Sequence, residues 1–337
     1  MTALNVSQAA GNGVLRPAPI NWCSLMNSYA FLFPGQGSQF AGMGKSLAQN
    51  FASAQRIFQE ADDALGFAIS RLCFEGPDAD LKLTENTQPA LVAVSIAAYS
   101  VLADQGFRPS FVAGHSLGEY SALVAAGALP FAEAIRLVRN RGRYMQEAVP
   151  AGTGAMAALL KLPEQKLDEV LREAAQGEIV TAANFNSPEQ VVIAGHVGAV
   201  TRAMEFAKAA GAKRAILLPV SAPFHCPLML PAQQRLVPEL NAAHFSNLSV
   251  PLINNWQAKQ IQQASEACQG LIQQIPNPVQ WCRSMQLFAA LGMEKFIEVG
   301  PGNVLAGLVR GNLPHAATLP FAEATHLDAL LAKMSET

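Results

Sequence analysis

The chain has 337 residues, of which 50% are hydrophobic and only 14% charged, well under the ~25% charged that is usual for a soluble domain. That length fits two domains, or one large α/β domain carrying an insertion, and that composition excludes disorder of the whole chain. The 23 basic and 25 acidic side chains leave a net charge of -2. Such a balance offers no electrostatic footing for nucleic acid or an anionic membrane surface, so any anion is bound locally.

The five cysteines, Cys23, Cys73, Cys226, Cys268 and Cys282, contain no C-x-x-C pair and read as free thiols of a reducing compartment. The six histidines form no H-E-x-x-H motif, so no metal site is expected. The longest apolar run, Leu91 to Ala103, falls short of the ~18 residues of a spanning helix. The N-terminus has no charge before Arg16 and is no secretory signal. A cytoplasmic protein is the expectation.

Residues 1–28 mix Gly, Asn, Ser, Ala and Pro without a period and read as a poorly ordered extension. Tyr29 to Phe33 is a buried strand stopped by Pro34-Gly35-Gln36-Gly37. Helical patterns follow at 44–65 and 88–105. A second short strand, Ser110 to Ala113, runs into Gly114-His115-Ser116-Leu117-Gly118, then a helix at 117–126 stops at Gly127. Strands alternating with helices predict a parallel sheet. A further helix covers 132–148. The middle of the chain changes rhythm: strand 155–160, helix 163–175, strands 179–184 and 190–194, helix 197–210 and strand 215–220. This βαββαβ order is the ferredoxin-like pattern. It predicts a small domain at 149–221 inserted into a large α/β domain formed by 29–148 and 222–320. A Pro-rich passage, a strand at 250–254, a helix at 281–291 and a strand at 295–299 complete the reading.

Gly114-His115-Ser116-Leu117-Gly118 matches the G-x-S-x-G nucleophile elbow and lies where that turn must lie, between a strand and a helix. Ser116 is then a candidate nucleophile, and the N–H of Leu117, at the start of the helix, a candidate oxyanion donor. His115 adjoins Ser116 on a turn whose neighbours point apart, so it reads as a packed histidine. His225, where the chain re-enters the large domain, is either a structural histidine or the base for Ser116. On the helix 132–148, Ala134, Val138, Arg141 and Met145 form one apolar stripe, while Arg136, Arg139 and Arg143 point elsewhere. An inward guanidinium needs a carboxylate, from the protein or from a ligand.

These residues, with Phe33-Pro34-Gly35-Gln36-Gly37-Ser38-Gln39, Gly114 to Tyr120, Arg141 to Gln146, Asn184-Phe185-Asn186-Ser187-Pro188, Gln274 with Asn277-Pro278-Val279, and Glu298 to Gly302, resemble the malonyl-CoA:acyl carrier protein transacylases of fatty acid synthesis and the related polyketide synthase acyltransferases. The likeness extends over 29–312. It implies a hydrolase-like α/β domain with a ferredoxin-like insert. It implies that Ser116 is the nucleophile and His225 its base, oriented by the backbone carbonyl of Gln274, with no catalytic Asp. It further implies that Gln36 and Leu117 supply the oxyanion hole, that Arg141 binds the acyl carboxylate, and that Met145, Asn186 and Phe224 support the site. Phe224 before His225 resembles the malonyl-selecting acyltransferases. The implied substrates are malonyl-CoA and an acyl carrier protein, with coenzyme A and phosphopantetheine entering only as parts of substrates, and the implied state is a monomer. Two rivals remain: a carrier-protein acyl hydrolase of the same fold, which has no use for Arg141, and a non-catalytic docking subunit, which would have lost the catalytic set.

Overall fold

The computed structural model describes residues 29–335 apart from Ser221, so the expected extension over 1–28, with Cys23, lies outside the described residues. Ten strands are found in the described part. They are β1 (Ala30–Phe33), β2 (Phe111–Gly114), β3 (Gly154–Leu160), β4 (Val180–Ser187), β5 (Gln190–His196), β6 (Arg214–Leu217), β7 (Leu252–Ile253), β8 (Gln260–Ile261), β9 (Lys295–Val299) and β10 (Ala317–Phe321).

Every residue of β1 is buried, as a strand covered on both faces requires. β1 lies at the middle of a six-stranded sheet of order β10-β9-β1-β2-β7-β8, parallel except for β8. Its register sets Phe33 beside Gly114, so the loop after β1 and the turn after β2 leave the sheet side by side. The helix Thr84–Asp104 is buried along most of its length and packs against Phe131–Glu147. It starts four residues before the expected Gln88, because the polar turn Thr84 to Thr87 is helical despite Pro89. Pro89 has no N–H for the Glu85 carbonyl four residues back, and Arg139 Nη1 donates to that carbonyl instead at 2.8 Å.

The chain 154–217 forms a separate antiparallel sheet of order β4-β5-β3-β6, with the helices Leu167–Ala175 and Val197–Ala209 on one face over a small core of their own. That order is the one a βαββαβ chain adopts in a ferredoxin-like fold. β6 ends earlier than expected, at Leu217, two residues before Pro219. The small sheet meets the large domain along a backbone seam: Asn184 bridges Val279 in parallel, with Phe185 N and Val279 N each donating across it at 2.9 Å, and Asn312 Nδ2 donates to Asn186 O beside it at 2.8 Å.

The C-terminal third holds more structure than its sequence pattern predicts. The Pro-rich passage contains the helix Leu230–Ala242, with Pro231 in its first turn, where a missing N–H costs little. Ala264–Gln274 starts on a capping box in which Gln263 and Glu266 exchange hydrogen bonds. Val304–Asn312, β10 and His326–Ser335 follow, and β10 runs through residue 320, the expected edge of the large domain; Phe321, Leu327 and Leu330 join the core beyond it.

Candidate active site

The turn between β2 and the helix Gly118–Ala125 holds Ser116 at φ 51°, a left-handed conformation that a serine adopts only when its surroundings enforce it. Two glycines make the turn possible. A Cβ on Gly114 would lie 1.9 Å from the Gly118 carbonyl carbon, and one on Gly118 would lie 2.0 Å from the Phe33 carbonyl oxygen. Asn255, just beyond β7, clamps the turn from outside: its Oδ1 accepts from Ser116 N and its Nδ2 donates to Gly114 O, both at 2.6 Å.

Ser116 Oγ is 2.6 Å from Nε2 of His225. His225, also at positive φ (59°), directs Nδ1 at the carbonyl of Gln274, 2.9 Å away. That carbonyl belongs to the last residue of Ala264–Gln274, where helix carbonyls lack intrahelical partners. A carbonyl only accepts, so Nδ1 carries the proton and Nε2 turns its lone pair to the serine. Burial, then the nearby charge of Arg141, pushes the His225 pKa down to about 3, opposed by the Gln274 carbonyl. The imidazole is therefore neutral at pH 7, the state a base requires.

Arg141 is 2% exposed. Its Nη1 donates to Gln88 Oε1 at 2.8 Å, and its Nη2 to Gln274 Oε1 at 2.9 Å and to Ser116 Oγ at 3.2 Å. The Tyr120 ring lies 5.6 Å from the guanidinium carbon, and Nε has no hydrogen-bond partner. Among the described residues no carboxylate forms a salt bridge with it. Burial pulls its pKa below the usual arginine value, and Tyr120 and Glu119 pull the other way. The protein thus buries a guanidinium among neutral acceptors beside the serine, with the internal carboxylate partner missing.

Ser116, His225, Arg141, Gln36, Leu117, Met145 and Phe224 line one cavity of about 120 Å³. Asn186 lies outside it, in an adjoining cleft of about 220 Å³, where its Oδ1 is 2.8 Å from His115 Nε2. His115 turns away from the serine and packs against Trp281 at 5.3 Å between ring centroids, in keeping with a packed role. Three residues in the network have no role assigned from the sequence: Gln88, which bridges Arg141 and Met145; Asn255, which holds the turn; and Glu119, whose carboxyl group accepts from Gln274 Nε2 at 2.6 Å. Among the described residues no group of three or more His, Cys, Asp or Glu side chains is placed to hold a metal ion.

The family model described as acyl transferase domain matches residues 30–326. The malonyl CoA-acyl carrier protein transacylase of Escherichia coli K12 is 50% identical over 286 residues, covering 85% of this chain and 93% of the relative. Among solved structures, an acyl carrier protein S-malonyltransferase from Vibrio cholerae superposes with a TM-score of 0.88 at 45% identity, over 90% of this chain and all of the other. A malonyl transacylase in complex with its type II polyketide synthase acyl carrier protein superposes with a TM-score of 0.88 at 44% identity, over 91% of this chain and 100% of that one. With the family model matched over residues 30–326 and half of the aligned residues shared with a relative along most of both chains, the chain belongs to the acyl transferase domain family.

Proposed function

We propose that the chain is an [acyl-carrier-protein] S-malonyltransferase, moving malonyl from coenzyme A to the phosphopantetheine thiol of an acyl carrier protein through an ester on Ser116. The relatives named above support the reaction. The observation that carries the substrate is the buried Arg141, 3.2 Å from Ser116 Oγ and in no salt bridge with a carboxylate among the described residues. A malonyl thioester brings the missing carboxylate, and a planar guanidinium binds it with charge-assisted bonds.

In the first half-reaction His225 Nε2 takes the Ser116 hydroxyl proton as Oγ attacks the thioester carbonyl. The donors assigned to the developing oxyanion are the N–H groups of Leu117 and Gln36, residues that line the same cavity. The intermediate collapses, the C–S bond breaks, and the coenzyme A thiolate takes the proton from Nε2. The second half-reaction mirrors the first: the phosphopantetheine thiol gives its proton to Nε2, sulfur attacks the ester carbonyl, and Ser116 leaves with the proton restored. No resident cofactor takes part; coenzyme A and phosphopantetheine are parts of the substrates. The rival hydrolase of the same fold is disfavoured, because a general acyl hydrolase gains nothing from a desolvated cation beside its serine. A cytoplasmic setting belongs to the same reading; its support is the four free cysteines of the described chain, together with the lack of any described helix long and apolar enough to cross a membrane.

The test is incubation with malonyl-CoA alone, read by intact mass. Wild type gains one malonyl group, Ser116→Ala gains none, and His225→Ala loads about 10² more slowly or worse. Labelling of Ser116→Ala would overturn the assignment. Malonyl-enzyme is then offered fatty-acid and polyketide carrier proteins, and transfer to the fatty-acid type is expected.

A further inference from the structure

Glu119 lies on the first turn of the helix after Ser116 and is 1% exposed, a carboxylate in the core with no basic side chain in salt-bridge range among the described residues. Such a group is costly to bury, and an apolar side chain would serve packing better. Its contacts indicate another use. Oε2 accepts from Gln274 Nε2 at 2.6 Å and from Asn255 N at 3.2 Å, while Oε1 has no partner. Gln274 and Asn255 between them touch all three functional side chains or their backbone. Resting on the transferase reading, we propose that Glu119 is a positioning residue for acyl transfer: through the Gln274 amide and Asn255 it orients Arg141, His225 and the Ser116 turn together.

The orientation of one amide carries the argument. Gln274 Nε2 donates to Glu119 Oε2 and to Ser116 O at 2.9 Å, so Gln274 Oε1 must face the other way, toward Arg141 Nη2. A flipped amide would set oxygen against carboxylate and NH₂ against guanidinium, two repulsive pairs. The acceptor oxygen of Glu119 therefore selects the rotamer that aims Arg141. It also leaves the cation open: a carboxylate bonded directly to the guanidinium would compete with a malonyl carboxylate, whereas a carboxyl relayed by an amide leaves Nε without a partner. On the other branch, the Asn255 backbone held by Glu119 fixes the side chain that clamps Ser116 N and Gly114 O.

The experiment compares wild type, Glu119→Gln, Gln274→Ala and the double variant. Each is loaded from malonyl-CoA and from acetyl-CoA, with rates expressed per competent serine as counted by the endpoint of fluorophosphonate labelling. Glu119→Gln is expected to lose about tenfold or more in malonyl loading, the scale of misplaced catalytic groups, with a several-fold fall in the malonyl-to-acetyl ratio. In the Gln274→Ala background, where the relay is already cut, the same change should leave that ratio where it was. A purely structural Glu119 lowers the count of competent serines and the melting temperature but not the ratio. A wild-type rate and ratio per serine in Glu119→Gln, or an equal further fall of the ratio in the double variant, overturns the proposal. Should Glu119→Gln fail to fold, Gln274→Ala alone must lower the ratio, and an unchanged ratio overturns it too. Wild type that takes no malonyl instead refutes the transferase reading.

Discussion

Arg141→Ala tests the substrate assignment most directly. In the resting site the guanidinium is held by Gln88 and Gln274, both neutral, and touches Ser116 Oγ, a contact that must change once that oxygen carries an acyl group. A malonyl carboxylate gains two charge-assisted bonds from it, each worth about 1.5 to 3 kcal/mol. Their loss removes about two to four decades of malonyl loading at ~1.4 kcal/mol per decade. Acetyl has no carboxylate and meets a desolvated cation, so its loading should hold or rise. The variant leaves the Gln88 and Gln274 oxygens without their donor, but Gln88 lines the substrate cavity and the space vacated by the Arg141 side chain opens onto it, so water can replace the guanidinium and the fold should survive. Arg141→Lys should recover part of the loss, since an ammonium cannot reproduce the planar fork. The assay is competitive loading from equimolar malonyl-CoA and acetyl-CoA, quenched early and read as the ratio of the two acyl-enzyme masses. A folded Arg141→Ala protein with the wild-type ratio would refute the role of Arg141 in substrate selection.

Two further outcomes follow from the same geometry. The His225 pKa is lowered, so the base stays neutral as pH falls through 6.5, and the acid limb of malonyl loading that it controls should lie near its depressed value of about 3; burial raises Glu119 to about 7, so any inflection near neutrality should vanish in Glu119→Gln. An acid limb at pH 6 to 7 that persists in Glu119→Gln would contradict the buried, neutral imidazole. Phe224 lines the cavity beside His225, and Phe224→Ser opens room next to the acyl chain, so the methylmalonyl-to-malonyl loading ratio should rise; an unchanged ratio in a folded variant would dissociate Phe224 from substrate choice.

Elements whose local pattern and tertiary role agree were legible from sequence. β1 and β2 are short apolar runs ended by glycine turns, and the inward face of Arg141 follows from a four-three-four spacing on its helix. The prolines of 227–238 obscured the helix Leu230–Ala242, because Pro231 is harmless only in a first turn that must already be known. The partner of Arg141 could not be read at all, since it rests on the lack of a carboxylate in three dimensions. Gln88 carries no local signal, its partner Arg141 being 53 positions away, and Asn255 lies 139 positions from the serine it clamps. Glu119 stood in a quoted motif without a role, because its two partners come from distant segments.

The seam between Asn184 and Val279 bears on how the molecule comes apart. β4 shares its edges between two neighbours, β5 on one side and the Val279 backbone on the other, and its two register shifts against β5 lie at Ala182/Asn184 and Phe185/Ser187, flanking the seam. One residue beyond the seam, Asn186 holds the imidazole next to the nucleophile. Peeling the insert away from its host therefore breaks both backbone bonds of the seam and the Asn186 contact to His115 together. Met156 and Asn184 of the insert also line the cavity, so the inserted segment is one wall of the reaction chamber, and malonyl loading is expected to fall in step with melting of the small sheet.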